Sequence, residues 1–259
     1  MQRRTVIWKT PEISADGLKM FACAMMLLQT IGISVVEKGL IHIDQYTQEQ
    51  FSALLAEDSH LMFLAGVGSV LQLLGGMAVP LFAFLLVEGF LHTSDYRRYL
   101  LSVVLFALVS EIPYDLAVYQ RVWAPMGQNA LCSMAVSLLM LYFLRMTRSM
   151  GTAAGILSKL LIVAGAVAWV SLLRAEYGLS IVLLTAVFYL FYARNGWKMA
   201  LGILISLLHV TGPLAFYGIW CYNEVRTDRI PRYAYYLFYP LHLLALGLIS
   251  VLVCVSSCS

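Results

Sequence analysis

Charge is what this sequence has least of. Asp, Glu, Lys and Arg make up 12% of its 259 residues, whereas a soluble globular chain carries about 25%. Half that supply cannot cover a water-facing surface, so an ordinary soluble domain is excluded. The chain is solvated chiefly by lipid, in keeping with a hydrophobic content of 61% and a mean hydropathy of +0.82. Walker and Rossmann glycine motifs, metal-ligand spacings, low-complexity segments and visible internal repeats are missing too. The five cysteines (Cys23, Cys132, Cys221, Cys254, Cys258) show no CxxC spacing. Four lie in or against apolar runs and read as small core hydrophobes. Cys254 and Cys258 stand four apart near the C-terminus, a spacing open to pairing or lipidation. No small-residue cleavage pattern accompanies the first apolar run, so no cleavable signal is expected. The net charge of +3 does not point to nucleic acid, because the basic residues sit in short clusters between apolar runs, where the positive-inside bias puts them.

What is abundant is apolar sequence in long runs. A spanning helix needs about 20 apolar residues. Runs at 18–36, 99–117, 130–144, 153–173, 179–192, 199–210, 214–222 and 235–254 are candidates, with a polar loop expected at 37–59. A longer run, 60–92, is divided by Gly75 and Gly76. Arg3, Arg4 and Lys9 place the N-terminus in the cytoplasm, and Arg97/Arg98, Arg145/Arg148, Arg194/Lys198 and Arg226/Arg229/Arg232 all want the same side. Every cluster obeys if 60–92 crosses once, through 78–92, and 60–74 is an interfacial or re-entrant helix on the outer side. The reading is an all-α, polytopic transmembrane helix bundle of about nine spans (8–10), a single domain over 1–259. Gly212–Pro213 argues for a turn between two short helices within 199–222.

Ionisable groups within such runs cost at least about 2.5–3.5 kcal/mol at mid-membrane, so each is a functional candidate. Glu88 and His92 stand one helical turn apart in PLFAFLLVEGFLHTSDYRRY, near the cytosolic end of their span. Glu111 and Asp115 straddle Pro113 toward the outer end of the next. Glu111 lies roughly 20 Å from the start of its helix, so this pair and Glu88 belong to different places. His242 follows Pro240 near mid-membrane. Each has a bland alternative: an interfacial carboxylate for Asp115, dipole complementation for His92, a snorkelling pair with Arg97 or Arg98 for Glu88, a satisfied core histidine for His242. The cluster Tyr233, Tyr235, Tyr236, Phe238 and Tyr239 suits an interfacial aromatic belt.

Four blocks in order, LKMFACAMMLLQTIG, PLFAFLLVEGFLHT, YRRYLLSVVLFALVSEIPYDLA and YYLFYPLHLL, resemble the TraX family of bacterial inner-membrane proteins over nearly the whole chain. That family takes its name from a conjugation protein that acetylates the N-terminus of pilin. It is similar to the multipass acyltransferases that draw acetyl groups from cytosolic acetyl-CoA. The resemblance implies a multipass membrane acyltransferase with acetyl-CoA or another acyl-CoA as co-substrate. The acceptor would be a peptide, sugar or lipid group, and membrane lipid the surrounding partner. It carries over Glu88 and His92 from the EGFLHT block, Glu111, Pro113 and Asp115 from SEIPYD, and Tyr239, Pro240 and His242 from YPLHL. Arg97, Arg98 and Arg148 are candidates for the nucleotide phosphates; their alternative role is topological anchoring.

Two positions depart from the family pattern. Its first helix reads with an Asp-His pair before Ile-Gly, where this chain has Gln29 and Thr30, and Gly76 stands where an arginine is usual. A general base must accept a proton near neutral pH, which neither Gln29 nor Thr30 does. Gln29 lies roughly 15 Å into its helix and His242 about as deep in its own. If the two helices touch, His242 can stand in as the base. The competing readings are a family member that has lost catalysis and serves binding or assembly, and a proton-coupled transporter using Glu88 and His242. The transporter ranks last for want of paired broken-helix halves.

Overall fold

A computed structural model describes residues 12–150, 152–224 and 231–258, without the side chains of 152, 232 and 256–258. The N-terminal anchors Arg3, Arg4 and Lys9, the pair Arg226 and Arg229, and the side chains of Arg232 and Cys258 lie outside the described residues. Every regular element among the described residues is helical. In chain order these are α1 (Ala15–Thr30), α2 (Gln48–Glu57), α3 (Ser59–Gly75), α4 (Ala78–His92), α5 (Tyr96–Tyr119) and α6 (Ala130–Met146). Then follow α7 (Thr152–Leu172), α8 (Gly178–Leu190), α9 (Asn195–Ser206), α10 (Ala215–Trp220) and α11 (Arg232–Cys258). Six helical segments are long and apolar enough to cross a membrane: Ala15–Ile41, Ser59–His92, Tyr96–Tyr119, Ala130–Ser149, Ala153–Leu172 and Tyr233–Val255. The molecule is a helical membrane bundle; the shorter apolar α8 packs against α4, α6 and α7, α9 lies on α8, and α10 lies on α4.

The helix starts are written locally. Asp58, Asp95 and Asn129 each place a side-chain oxygen on the free backbone N–H groups that open α3, α5 and α6. In lipid this matters more than in water, because an unmade backbone bond finds no solvent partner. The break at Gly76–Met77 falls where the glycine pair divides the long run, and α9 and α10 are separate helices about the Gly212–Leu214 turn.

The expected polar loop at 37–59 is helical instead. α1 runs on as a π-helical stretch, Ile31–Ile41, and α2 follows after a short turn. Thr47 and Gln50 form a reciprocal capping box that starts α2, the Thr-x-x-Gln signature of a helix N-terminus. Lys38 closes the turn between them on Asp44 at 2.5 Å. The π stretch packs on α3 and α11 at close range: a Cβ added at Gly32 would stand 2.9 Å from the Gly68 carbonyl oxygen.

α4 is the axis of the core. Leu81, Ala83, Val87 and Phe90 are sealed from the surface and pack with Leu138 and Leu141 of α6 and Leu184 and Phe188 of α8. The lipid face is equally plain on α5, where Leu101, Leu105, Leu108 and Ile112 stand exposed at helical spacing. α5 and α11 pack along one another, and α11 also lies on the π stretch. That contact brings the C-terminal helix against the first.

Candidate functional site

Polar groups collect at two ends of the bundle. At the Arg97 end, Glu88 is only 4% exposed. His92 sits 3.7 Å from its Oε2 and 2.9 Å from its backbone carbonyl. The Tyr192 hydroxyl hydrogen-bonds the Glu88 carboxylate, and the Lys198 ammonium lies over the rings of Phe84 (5.8 Å) and Tyr192 (5.4 Å), attracted by Glu88 and Glu224. Arg97, Arg98 and Arg148 are exposed at this end. None of the three makes an ion pair among the described residues, and Arg98 donates to the Tyr233 hydroxyl at 3.4 Å.

The second collection surrounds a partly open cavity of about 60 Å³ toward the far ends of α5, α6 and α8. Its polar lining is Gln29, Thr30, Tyr114, Glu176, Tyr177 and Tyr239; methionines, Phe82 and Ile181 supply the apolar walls. α1 delivers Gln29 and Thr30 together because consecutive helical residues stand about 100° apart, so both reach one broad cavity. Gly75 has no side chain where Gln29 packs, which leaves Gln29 room to donate to the Tyr177 hydroxyl.

His242 adjoins this cavity. Its Nε2 is 3.4 Å from Thr30 Oγ1, so α11 and α1 do meet at this depth. Its Nδ1 is 2.8 Å from the Phe238 carbonyl, which can only accept. The ring proton therefore sits on Nδ1, and Nε2 keeps a lone pair facing Thr30. Thr30 also reaches the Met26 carbonyl at 3.0 Å, so its single hydroxyl proton has two acceptors to turn between. Phe238 stacks on the imidazole with ring centroids 4.9 Å apart, and Tyr239 meets it edge-on at 5.6 Å.

The acid in the cavity is Glu176, from the loop between α7 and α8. Two non-glycine residues with left-handed backbone, Arg174 (φ 50°) and Tyr177 (φ 52°), bracket it, a conformation that persists only where surroundings hold it. Three bonds do so: Gln128 N–H to the Arg174 carbonyl (3.3 Å), Glu176 N–H to the Gln128 carbonyl (2.8 Å) and the Ser133 hydroxyl to the Glu176 carbonyl (2.7 Å). Burial pushes the Glu176 carboxyl up to about 7, against the lowering effect of a hydrogen bond from Tyr177. Burial, then the Glu176 charge, drives the Tyr177 phenol well above its ordinary range. Gln29, Tyr177 and Glu176 thus form one chain of polar groups.

Glu111 and Asp115 stand just outside the cavity. Asn129 donates to Glu111 Oε2 at 2.5 Å and to the Ala107 carbonyl at 2.8 Å, while Asp115 Oδ2 accepts from the Ala124 N–H at 2.8 Å. Both carboxylates brace the α5–α6 connection, and neither lines the cavity. The structure therefore brings together Gln29, Thr30, Tyr239 and His242, and keeps Glu88 and His92 apart from them. On α4 the cavity ends at Phe82, six residues or roughly 9 Å before Glu88. Glu176 was not singled out from sequence. Its signal was a lone acid in AEYG, held between alanine and tyrosine at the mouth of an apolar run.

The fold is that of a helical membrane bundle with a polar-lined cavity within it. The model of the TraX protein family matches residues 14–250. The chain belongs to the TraX family. Comparison with curated proteins and with solved structures finds no match.

Proposed function

We propose that this chain is a bacterial inner-membrane acyltransferase, with its N-terminus in the cytoplasm, that moves an acetyl or other short acyl group from acyl-CoA to a hydroxyl or amine. One observation carries the reading. A carboxyl poised near neutrality lines a cavity whose Thr30 lies 3.4 Å from the Nε2 of His242, at the residues that replace the family's Asp-His pair. A general base works best when its proton affinity matches the working pH. His242 is the base. It takes the proton of the acceptor O–H or N–H as that atom attacks the thioester carbonyl. The carbon–sulfur bond breaks, and the departing CoA sulfur takes a proton. His242 returns to that sulfur the proton it took from the acceptor, and Glu176, with Tyr177 and Gln29, forms a polar wall of the cavity.

The size of the cavity limits the substrate. Sites that bury a whole drug-sized ligand measure about 300–1,000 Å³; one of about 60 Å³ has room for the acyl end alone. The nucleotide lies outside, where Arg97, Arg98 and Arg148 are the proposed phosphate contacts and Glu88 with His92 shapes the entry. The acceptor class, peptide, sugar or lipid, is open to any member that offers a small nucleophile. A second reading, a scaffold that has given up catalysis, is favoured by Thr30 and Gln29, which are both spent on structural hydrogen bonds.

The test is release of free CoA from acetyl-CoA by the purified protein, with cell extract as acceptor source, beside the double change Gln29→Asp with Thr30→His. Turnover by the unaltered protein supports a relocated base. Turnover by the double variant alone establishes the inactive scaffold instead.

A further inference from the structure

Tyr177 has two faces. One lines the cavity with Gln29 and Glu176. The other lines an open groove of about 360 Å³ between the end of α7 and the start of α8, with Val170, Ser171, Arg174, Gly178 and Ser180. Tyr177 is the residue that the two linings share, which makes its ring the natural gate between them. It is held by the Gln29 amide on one side and by an edge contact to His209 (5.3 Å) on the other. His209 is fixed in turn on the Ser180 hydroxyl at 2.9 Å. Gly178 lets α8 start directly against α7, since a Cβ there would come 2.7 Å from Val170 Cβ. The groove therefore cannot close by sliding the two helices together.

The charges on the two sides differ. Glu176 points to the cavity, whereas Arg174 lines the groove, is exposed, and makes no ion pair among the described residues. Left-handed backbone at Arg174 and Tyr177 brackets the turn, with Glu176 in the lining of the cavity and Arg174 in that of the groove. We infer that the groove is the acceptor site: it takes a molecule bearing an anionic group, held at Arg174, and admits its neutral hydroxyl or amine past Tyr177 into the cavity. This assignment rests on the acyl-transfer reading for its purpose, but the groove, its charge and its gate are testable without turnover.

The experiment uses cysteine labelling of the full chain in detergent, with the native cysteines replaced by alanine. A cysteine at Ser171 reports the groove. It reacts faster with a sulfonate-bearing methanethiosulfonate than with an ammonium-bearing one of equal size, by about tenfold for one unit charge within several Å in a water-like medium. Arg174→Gln removes the preference. A preference that is absent, or that survives Arg174→Gln, overturns the anionic assignment. A cysteine at Met134 reports the cavity. Tyr177→Ala raises its labelling rate at least tenfold and Tyr177→Phe, which keeps the ring, does not; equal rates in all three overturn the gate. Circular dichroism on each variant separates opening of the gate from unfolding, and unfolding of Tyr177→Ala transfers the test to Tyr177→Ser. Protection of the Ser171 cysteine by glycerol phosphate identifies a soluble anionic acceptor. Protection only in nanodiscs containing phosphatidylglycerol identifies a lipid one. No protection by either overturns the acceptor site. If charge preference and gating hold while the parent releases no CoA, the groove stands and the acyl-transfer reading falls.

Discussion

The two polar centres are built on different principles. At the Arg97 end, charges are paired: Glu88 has His92, the Tyr192 hydroxyl and Lys198 about it, and half of the His92 side chain remains exposed. At the cavity, polar groups are linked through hydroxyls and amides, and Glu176 meets Tyr177 rather than a cation. A paired charge is a settled structural element. An enclosed carboxyl without a cation keeps its proton close to neutrality and is ready to exchange it. The comparison teaches that a carboxylate in an apolar run marks a polar place, while its partners decide what that place does.

Substitutions break this contrast in graded steps. The largest effect is expected at the cavity. His242→Ala removes the lone pair facing Thr30 and lowers CoA release about 10²–10⁴-fold, the usual worth of a general base. Next is Glu176→Gln. The parent's rate changes with pH through a midpoint of about 7, and the variant's profile loses that midpoint. Stability carries the same signature with a definite sign. The folded carboxyl holds its proton more tightly than an unfolded one, so its contribution is fully present below the ordinary value of 4.5 and is lost as pH rises to about 7. The parent's Tm in detergent therefore falls over that window relative to that of Glu176→Gln; parallel curves contradict the buried placement.

Smaller effects belong to the braces and the other end. Asn129→Ala removes the side-chain hydrogen bonds to Glu111 and the Ala107 carbonyl and costs about 1–3 kcal/mol, read by thermal unfolding. Glu88→Gln costs about 1–2 kcal/mol, because His92 and Lys198 retain access to solvent or aromatic faces. Arg148→Ala is the mildest: a few-fold rise in the KM for acetyl-CoA with kcat unchanged, since an exposed cation contributes about 0–1 kcal/mol.

Much of the fold was legible. Apolar runs marked the long helices, Gly75–Gly76 marked the break between α3 and α4, and Gly212–Pro213 marked the turn before α10. The capping box at Thr47 was equally readable, and the polarity of 37–59 concealed it. Part of the site was legible too. Depth along two helices placed Gln29, Thr30 and His242 at one level, and the 3.4 Å approach of Thr30 to His242 follows that arithmetic. Glu176 was not legible, because its importance comes from loop geometry: two left-handed residues and three backbone anchors turn a loop acid inward. Nor does spacing reveal that the Glu88 carboxylate is already partnered by Tyr192, a residue over a hundred positions away.

The most direct test of the account is CoA release from acetyl-CoA by His242→Ala and Glu88→Ala side by side, each normalised to folded protein. With the reaction centre at the cavity, His242→Ala loses at least a hundredfold, in line with the worth of a base, while Glu88→Ala stays within about tenfold of the parent and shows its loss in the KM for acetyl-CoA. Glu88→Ala abolishing turnover while His242→Ala retains it would contradict the account and move the chemistry to the Arg97 end.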